Sequence, residues 1–173
     1  MGWSNRAFEG TRRKRSVNKD GSLRKNPRQL EEREHAAAVA WLHGESLRGS
    51  EVGGLYEPFF HPPNGGNRDA VAGAKLKAQG AKAGVSDFIF LCGRGGWLGL
   101  VVEFKAMPPN DARLSDSQRD WLTLSERHGY CAVLARGFFE LRAVLQEYAG
   151  WPETVSTIDR REMQFGSVWR KGT

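Results

Sequence analysis

Two apolar runs in the middle of the chain dominate its pattern. They are Val85-Ser86-Asp87-Phe88-Ile89-Phe90-Leu91 and Leu98-Gly99-Leu100-Val101-Val102-Glu103-Phe104-Lys105. Apolar residues occupy both parities in each run, which predicts strands covered on both faces. Between them, Gly93-Arg94-Gly95-Gly96-Trp97 is a turn signal. The runs therefore predict a hairpin centred on Gly95, in which position i pairs with position 190 − i.

Around this hairpin the periodicity is mostly helical. A helix is expected over 28–43, with Leu30, Ala37, Ala38, Trp41 and Leu42 on its apolar face and Gly44 as its stop. Residues 55–60 predict a short strand, and Pro58 places it at a sheet edge or an irregularity. Further helices are expected over 68–79, closed by Gly80, and over 115–128, opened by a capping box of Ser115 and Gln118. A strand over 130–135 precedes a helix over 138–148 anchored by Phe139, Val144, Leu145 and Tyr148. Segments 44–54, 61–67 and 107–113 predict loops. Beyond 149 the pattern fades, apart from a break at Trp151-Pro152 and an aromatic, Trp169, that can pack back onto the body. The order of elements indicates an α/β domain with a mixed central sheet flanked by helices.

Charge changes this picture at the strand ends. With the hairpin register above, Asp87 sits opposite Glu103, and side chains directly opposite on antiparallel strands have Cβ atoms about 4.5–5.5 Å apart. Two carboxylates that close repel unless a positive group lies between them. A divalent cation held by oxygen ligands meets that need. Lys105, two residues beyond Glu103, shares its face. From the residues alone, a structural salt-bridge cluster at a sheet end explains the three charges as well as a catalytic metal site does. The small residues Gly80-Ala81-Lys82-Ala83-Gly84 before Asp87 suit a backbone that approaches a ligand closely.

The net charge of +6 is concentrated at one end. Residues 1–28 carry nine Lys or Arg against Glu9 and Asp20, a net of +7, and the remainder carries a net of −1. Residues 1–27, including the run Arg12-Arg13-Lys14-Arg15, therefore predict a basic, disordered arm suited to a polyanion such as DNA. A solvated tail that binds nothing specific has the same composition. No apolar stretch approaches a membrane span, and no apolar segment follows the basic N-terminus as a secretory signal requires. Cys92 and Cys131 lie in apolar segments, which predicts free thiols and a cytoplasmic compartment.

Taken in order, several blocks resemble the VRR-NUC family, the virus-type replication-repair nucleases of the PD-(D/E)xK superfamily. They are residues 61–68, 76–87 and 99–105, then Leu114-Ser115 through Gln118, and Gly129-Tyr130. The resemblance runs from about Glu31 to Tyr148. Two positions depart from the family pattern: Ser86 replaces the usual Pro before the motif aspartate, and His35 replaces the Gln expected four residues after Glu31.

The resemblance implies a restriction-endonuclease-like core over 28–150, followed by an extension over 151–173. It implies a metal-dependent DNA endonuclease, with Asp87, Glu103 and the backbone carbonyl of Phe104 holding Mg²⁺ or Mn²⁺. Lys105 would orient the attacking water or stabilise charge at the phosphate. Glu31, with Glu34 as its rival, and Gln118 would stand beside this site. Acidic residues in a first helical turn and a capping glutamine also have purely structural uses.

Asn64, Gly65, Gly66 and Arg68 read as a turn before a helix, or as backbone amides and a cation that receive a DNA phosphate, with Lys75, Lys77 and Lys82 extending that surface. His61 packs on the loop or faces the phosphate. Short stand-alone members of the family imply phage or prophage origin and action on branched DNA, as in Holliday-junction resolution. Paired cuts require two sites, hence a homodimer. The rival readings are a non-cutting nucleic-acid-binding accessory module of the same fold, or a nuclease for linear ends or RNA.

Overall fold

A computed structural model describes residues 27–62, 70–109 and 113–171. Its elements are α1 (Pro27–Leu47), β1 (Phe59–Phe60), α2 (Ala70–Ala78), β2 (Phe88–Phe90), β3 (Leu100–Lys105), α3 (Asp116–Arg127), β4 (Cys131–Arg136) and α4 (Gly137–Ala149). Short 3-10 helices form at Val52–Leu55 and Ser167–Lys171. The sheet order is β1-β2-β3-β4. The first two pairings are antiparallel, and β3 runs parallel to β4. The result is a four-stranded mixed sheet flanked by helices.

The hairpin register is the one expected: Phe88 faces Val102, Ile89 faces Val101 and Phe90 faces Leu100. Every residue of β3 is buried, so the mixed-parity apolar pattern does report a strand covered on both faces. On one face Phe88, Phe90, Leu100, Val102, Phe104, Val133 and Ala135 join the main core. Ala38 and Leu42 of α1 and Leu141, Val144, Leu145 and Tyr148 of α4 complete it. On the other face Val101, Ala132 and Leu134 pack with Leu122 of α3 and with Trp169. Trp169 thus folds back onto the body as expected, and its indole N–H donates to the Ala132 carbonyl at 3.0 Å.

Several boundaries differ from the sequence pattern. Helix α1 runs through Gly44 to Leu47, because one glycine costs a helix only about 1 kcal/mol and α1 is held by packing on α4 and the 3-10 turn at Val52–Leu55. The expected strand over 55–60 shrinks to Phe59–Phe60. Pro58 has no N–H to extend the ladder, and Val52 and Leu55 bury their side chains from a 3-10 turn instead. Phe139 is 71% exposed rather than an anchor of α4. The buried set 141, 144, 145 and 148 follows helical spacing, and 139 falls on the opposite side. Ala37 of α1 is likewise exposed.

The two strands of the hairpin are shorter than the apolar runs, and residues 91–99 make a long connection rather than a tight turn. The C-terminal segment holds this connection. Gly95 donates to the Pro152 carbonyl at 2.8 Å, Arg161 donates to the Gly95 carbonyl at 2.8 Å, and the Gly96 amide donates to Thr154 Oγ1 at 3.1 Å. Among the described residues both cysteines are free thiols, Cys131 buried and Cys92 half-buried. No helix of the described residues is long and apolar enough to cross a membrane.

Candidate active site

The charged cluster lies at the C-terminal end of β3, on the α3 face of the sheet. Strand alternation puts Val101, Glu103 and Lys105 on this face and sends Phe104, which is fully buried, into the main core. The observed register, extended one place beyond Phe88–Val102, sets Asp87 opposite Glu103. The Phe104 amide donates to Asp87 Oδ2 at 2.9 Å, so the aspartate side chain takes the place of a ladder acceptor at the end of β2. In a strand, one residue's N–H and C=O point to the same neighbouring side. The Phe104 carbonyl therefore also faces the Asp87 side, where it could join the two carboxylates in holding a metal.

Glu103 is 1% exposed and Lys105 6%. Lys105 Nζ donates to Glu103 Oε1 at 2.8 Å, and Gln118 Nε2 donates to the same oxygen. Among the described residues Glu103 Oε2 is buried and has no hydrogen-bond partner. An unsatisfied buried oxygen costs about 1–3 kcal/mol, so this arrangement works against the fold unless a ligand occupies that side. Burial first, then the Asp87 carboxylate, push the Glu103 carboxyl up to about 8 against the pull of Lys105, and Glu31 adds to the rise. A site that disfavours a bare anion and leaves one of its oxygens unbonded suits a divalent cation with oxygen ligands. Among the described residues no group of three or more His, Cys, Asp or Glu side chains gathers in a metal-holding arrangement. The groups that could hold such a cation are the Asp87 and Glu103 carboxylates and the Phe104 carbonyl.

The surrounding residues hold this pair in place. His61 Nδ1 is 2.6 Å from the Asp87 carbonyl oxygen and bonds it, bracing the aspartate's backbone. His35, at the family's Gln position, packs its ring against His61 (4.5 Å between centroids) and Phe88 (4.3 Å). Burial, then the neighbouring His61, lower its pKa. Glu34 accepts from the Met107 amide at 3.0 Å, while Glu31 is the α1 carboxylate whose field reaches Glu103.

Gln118 closes the helix cap and also touches Glu103. Its Oε1 accepts from the Ser115 amide at 2.9 Å and Ser115 Oγ accepts from the Gln118 amide, closing the capping box. Its Nε2 reaches Glu103. Within the small-residue segment before Asp87, residues 80–83 are exposed and Gly84 packs against protein. Gly84, at φ +82°, lies so close to Ser117 that an added Cβ would stand 2.1 Å from its carbonyl oxygen.

Lys82 is exposed, as are Lys75 and Lys77 in the last turn of α2. Asn64, Gly65, Gly66, Arg68 and the arm residues Arg12, Arg13, Lys14 and Arg15 lie outside the described residues. Ser86, beside Asp87, is fully buried, and Arg136, which sequence reasoning did not single out, is the ladder partner of Lys105. Arg136 carried the same signal as Glu103, a charge closing an apolar run.

The four-stranded mixed sheet gathers two carboxylates and a lysine at one end of an α/β domain. The family model of the VRR-NUC domain matches residues 29–139, and the chain belongs to the VRR-NUC domain family, which gives it a nuclease-type function. Among solved structures, a chain described as a VRR_NUC domain protein superposes with a TM-score of 0.64 at 24% identity. That match covers 80% of this chain and 100% of the other, a likeness of fold. No curated protein matches.

Proposed function

We propose that the protein is a metal-dependent DNA endonuclease of the PD-(D/E)xK type, acting on branched DNA as a homodimer. The observation that carries this reading is Glu103 Oε2: a buried, unpartnered carboxylate oxygen opposite Asp87, with the other oxygen of Glu103 held by Lys105 and Gln118. Asp87, Glu103 and the Phe104 carbonyl would hold Mg²⁺ or Mn²⁺. When bound, the metal supplies charge neutralisation at the phosphate and an acidified water. Lys105 presents an ammonium at the same place, where it orients the attacking water or offsets charge building on the phosphate. Gln118 fixes the Glu103 rotamer, and His61 fixes the Asp87 backbone.

The branched-DNA and dimer assignments follow the family's stand-alone members, since paired cuts across a junction require two active sites. The basic arm supplies phosphate contacts, and its removal flattens the salt dependence of binding. The test is cleavage of a labelled four-way junction beside linear duplex, single-stranded DNA and RNA, with Mg²⁺, Mn²⁺ or EDTA, for wild type and Glu103→Ala. Metal-dependent paired nicks that vanish in the variant are expected. Cleavage of linear DNA or RNA alone would keep the chemistry and reject the junction. Tight binding without cleavage of anything would reject the nuclease in favour of an accessory module.

A further inference from the structure

A cleft of about 390 Å³ opens on the α3 face of the sheet, beside the carboxylate pair. Three of its lining side chains are arginines: Arg113 before α3, Arg119 within it, and Arg136 at the end of β4. Its apolar wall comes from Leu114 and from Val168 and Trp169 of the C-terminal segment, over a floor of Leu134. No carboxylate is among the described residues that line it.

Its position follows from the ladder. Arg136 pairs with Lys105 and Leu134 pairs with Glu103 across β3 and β4. Partners in a sheet share a face, and neighbouring strands lie about 4.8 Å apart. The cleft is therefore one strand away from the lysine and glutamate of the active site. Guanidinium groups form forked hydrogen bonds to phosphate oxygens. Arg119 is held by one N–H that donates to the Trp169 carbonyl, and a guanidinium has five such donors. A lone phosphate would leave most of this volume empty, whereas a phosphate with its sugar and base places a polar end against the arginines and an apolar end against Leu114 and Val168. Val168 and Trp169 lie outside the segment that the family model matches, residues 29–139.

We infer that this cleft binds one nucleotide unit of the DNA strand next to the bond to be cut, with Arg113, Arg119 and Arg136 on its phosphate and the C-terminal segment against its sugar and base. The inference rests on the nuclease reading of the neighbouring site. The phosphate is either an internal diester or a terminal monoester, and the chemistry that recognises it is the same.

The test measures binding, not cutting, in a Glu103→Gln background. Fluorescein-labelled single-stranded and duplex oligonucleotides, with and without a 5′-phosphate, are titrated by anisotropy over a range of salt. Arg113→Gln and Arg136→Gln should each weaken binding about tenfold and reduce the slope of log K against log salt by about 0.7–0.9. Arg136→Lys should restore the slope while leaving the affinity below wild type. Losses with all oligonucleotides identify an internal phosphate, and losses only with phosphorylated ones identify a strand end. Unchanged affinity and slope in both glutamine variants would overturn the inference even if wild type cuts DNA normally. Conversely, arginine-dependent binding by a wild type that cuts nothing would keep the cleft and remove the nuclease chemistry.

Discussion

Glu103 is the residue on which the electrostatics of the site turn. Its carboxyl, at about 8 in the folded protein against 4.5 ordinarily, holds a proton between those values that the unfolded chain has already lost. Stability of the metal-free protein therefore falls as pH rises through that window, by on the order of a few kcal/mol. Urea unfolding in EDTA should show the midpoint declining from about pH 5 to about pH 8. Glu103→Gln, which cannot ionise, should flatten that decline and abolish cleavage. On the proposed metal reading a cation would compete with the same proton, so adding Mg²⁺ at about neutral pH should release protons, seen as a dependence of the binding heat on buffer ionisation. Lys105→Met removes the one ammonium bonded to Glu103, and should abolish cleavage while leaving DNA affinity within about threefold, since one phosphate contact among many is lost.

The start of α3 ties a structural device to the site. Gln118 completes the capping box with Oε1 and reaches Glu103 with Nε2. Gln118→Glu keeps the acceptor that the cap needs but turns the donor into a charge beside Glu103. Cleavage should then slow tenfold or more, a rise of about 1.4 kcal/mol or more in activation free energy, and the thermal midpoint should fall at high pH, where the two carboxylates repel. Gln118→Ala should lower both, with a stability loss of about 1 kcal/mol from the broken cap. Gly84→Ala tests the packing that positions this turn. A side chain there has both a positive φ and the Ser117 carbonyl against it, and the strained backbone alone costs about 1–3 kcal/mol. Calorimetry should register that loss, together with reduced cleavage as α3 is displaced from Glu103.

At the scale of the whole molecule, the C-terminal segment closes the sheet. Strand β4 is an edge, and its exposed backbone is covered from outside by the bond from the Leu134 amide to the Gly166 carbonyl at 2.9 Å and by the Trp169 indole on Ala132. An uncovered apolar edge invites pairing with other chains. Trp169→Ala should cost about 3–5 kcal/mol, as loss of a buried aromatic does. It should also increase aggregation on heating, read by light scattering, because the edge loses its cover and the second core loses its largest member.

Periodicity along the chain was sufficient for the hairpin, its register and the face on which Asp87, Glu103 and Lys105 meet. Side-chain alternation in a strand is a local property, and one turn links the two runs. Ser115 and Gln118 were legible as a cap for the same reason, being three residues apart on one helix. The ending of α1, the contraction of β1 and the exposure of Phe139 were not legible, because packing against distant elements outweighs local preferences of about 1 kcal/mol. Nor could the sequence pair Gly95 with Pro152, aim Glu34 at Met107, or bring Arg113, Arg119 and Arg136 around one cleft. Those contacts join residues far apart in the chain, and only the folded arrangement of sheet, α3 and C-terminal segment sets the distances between them.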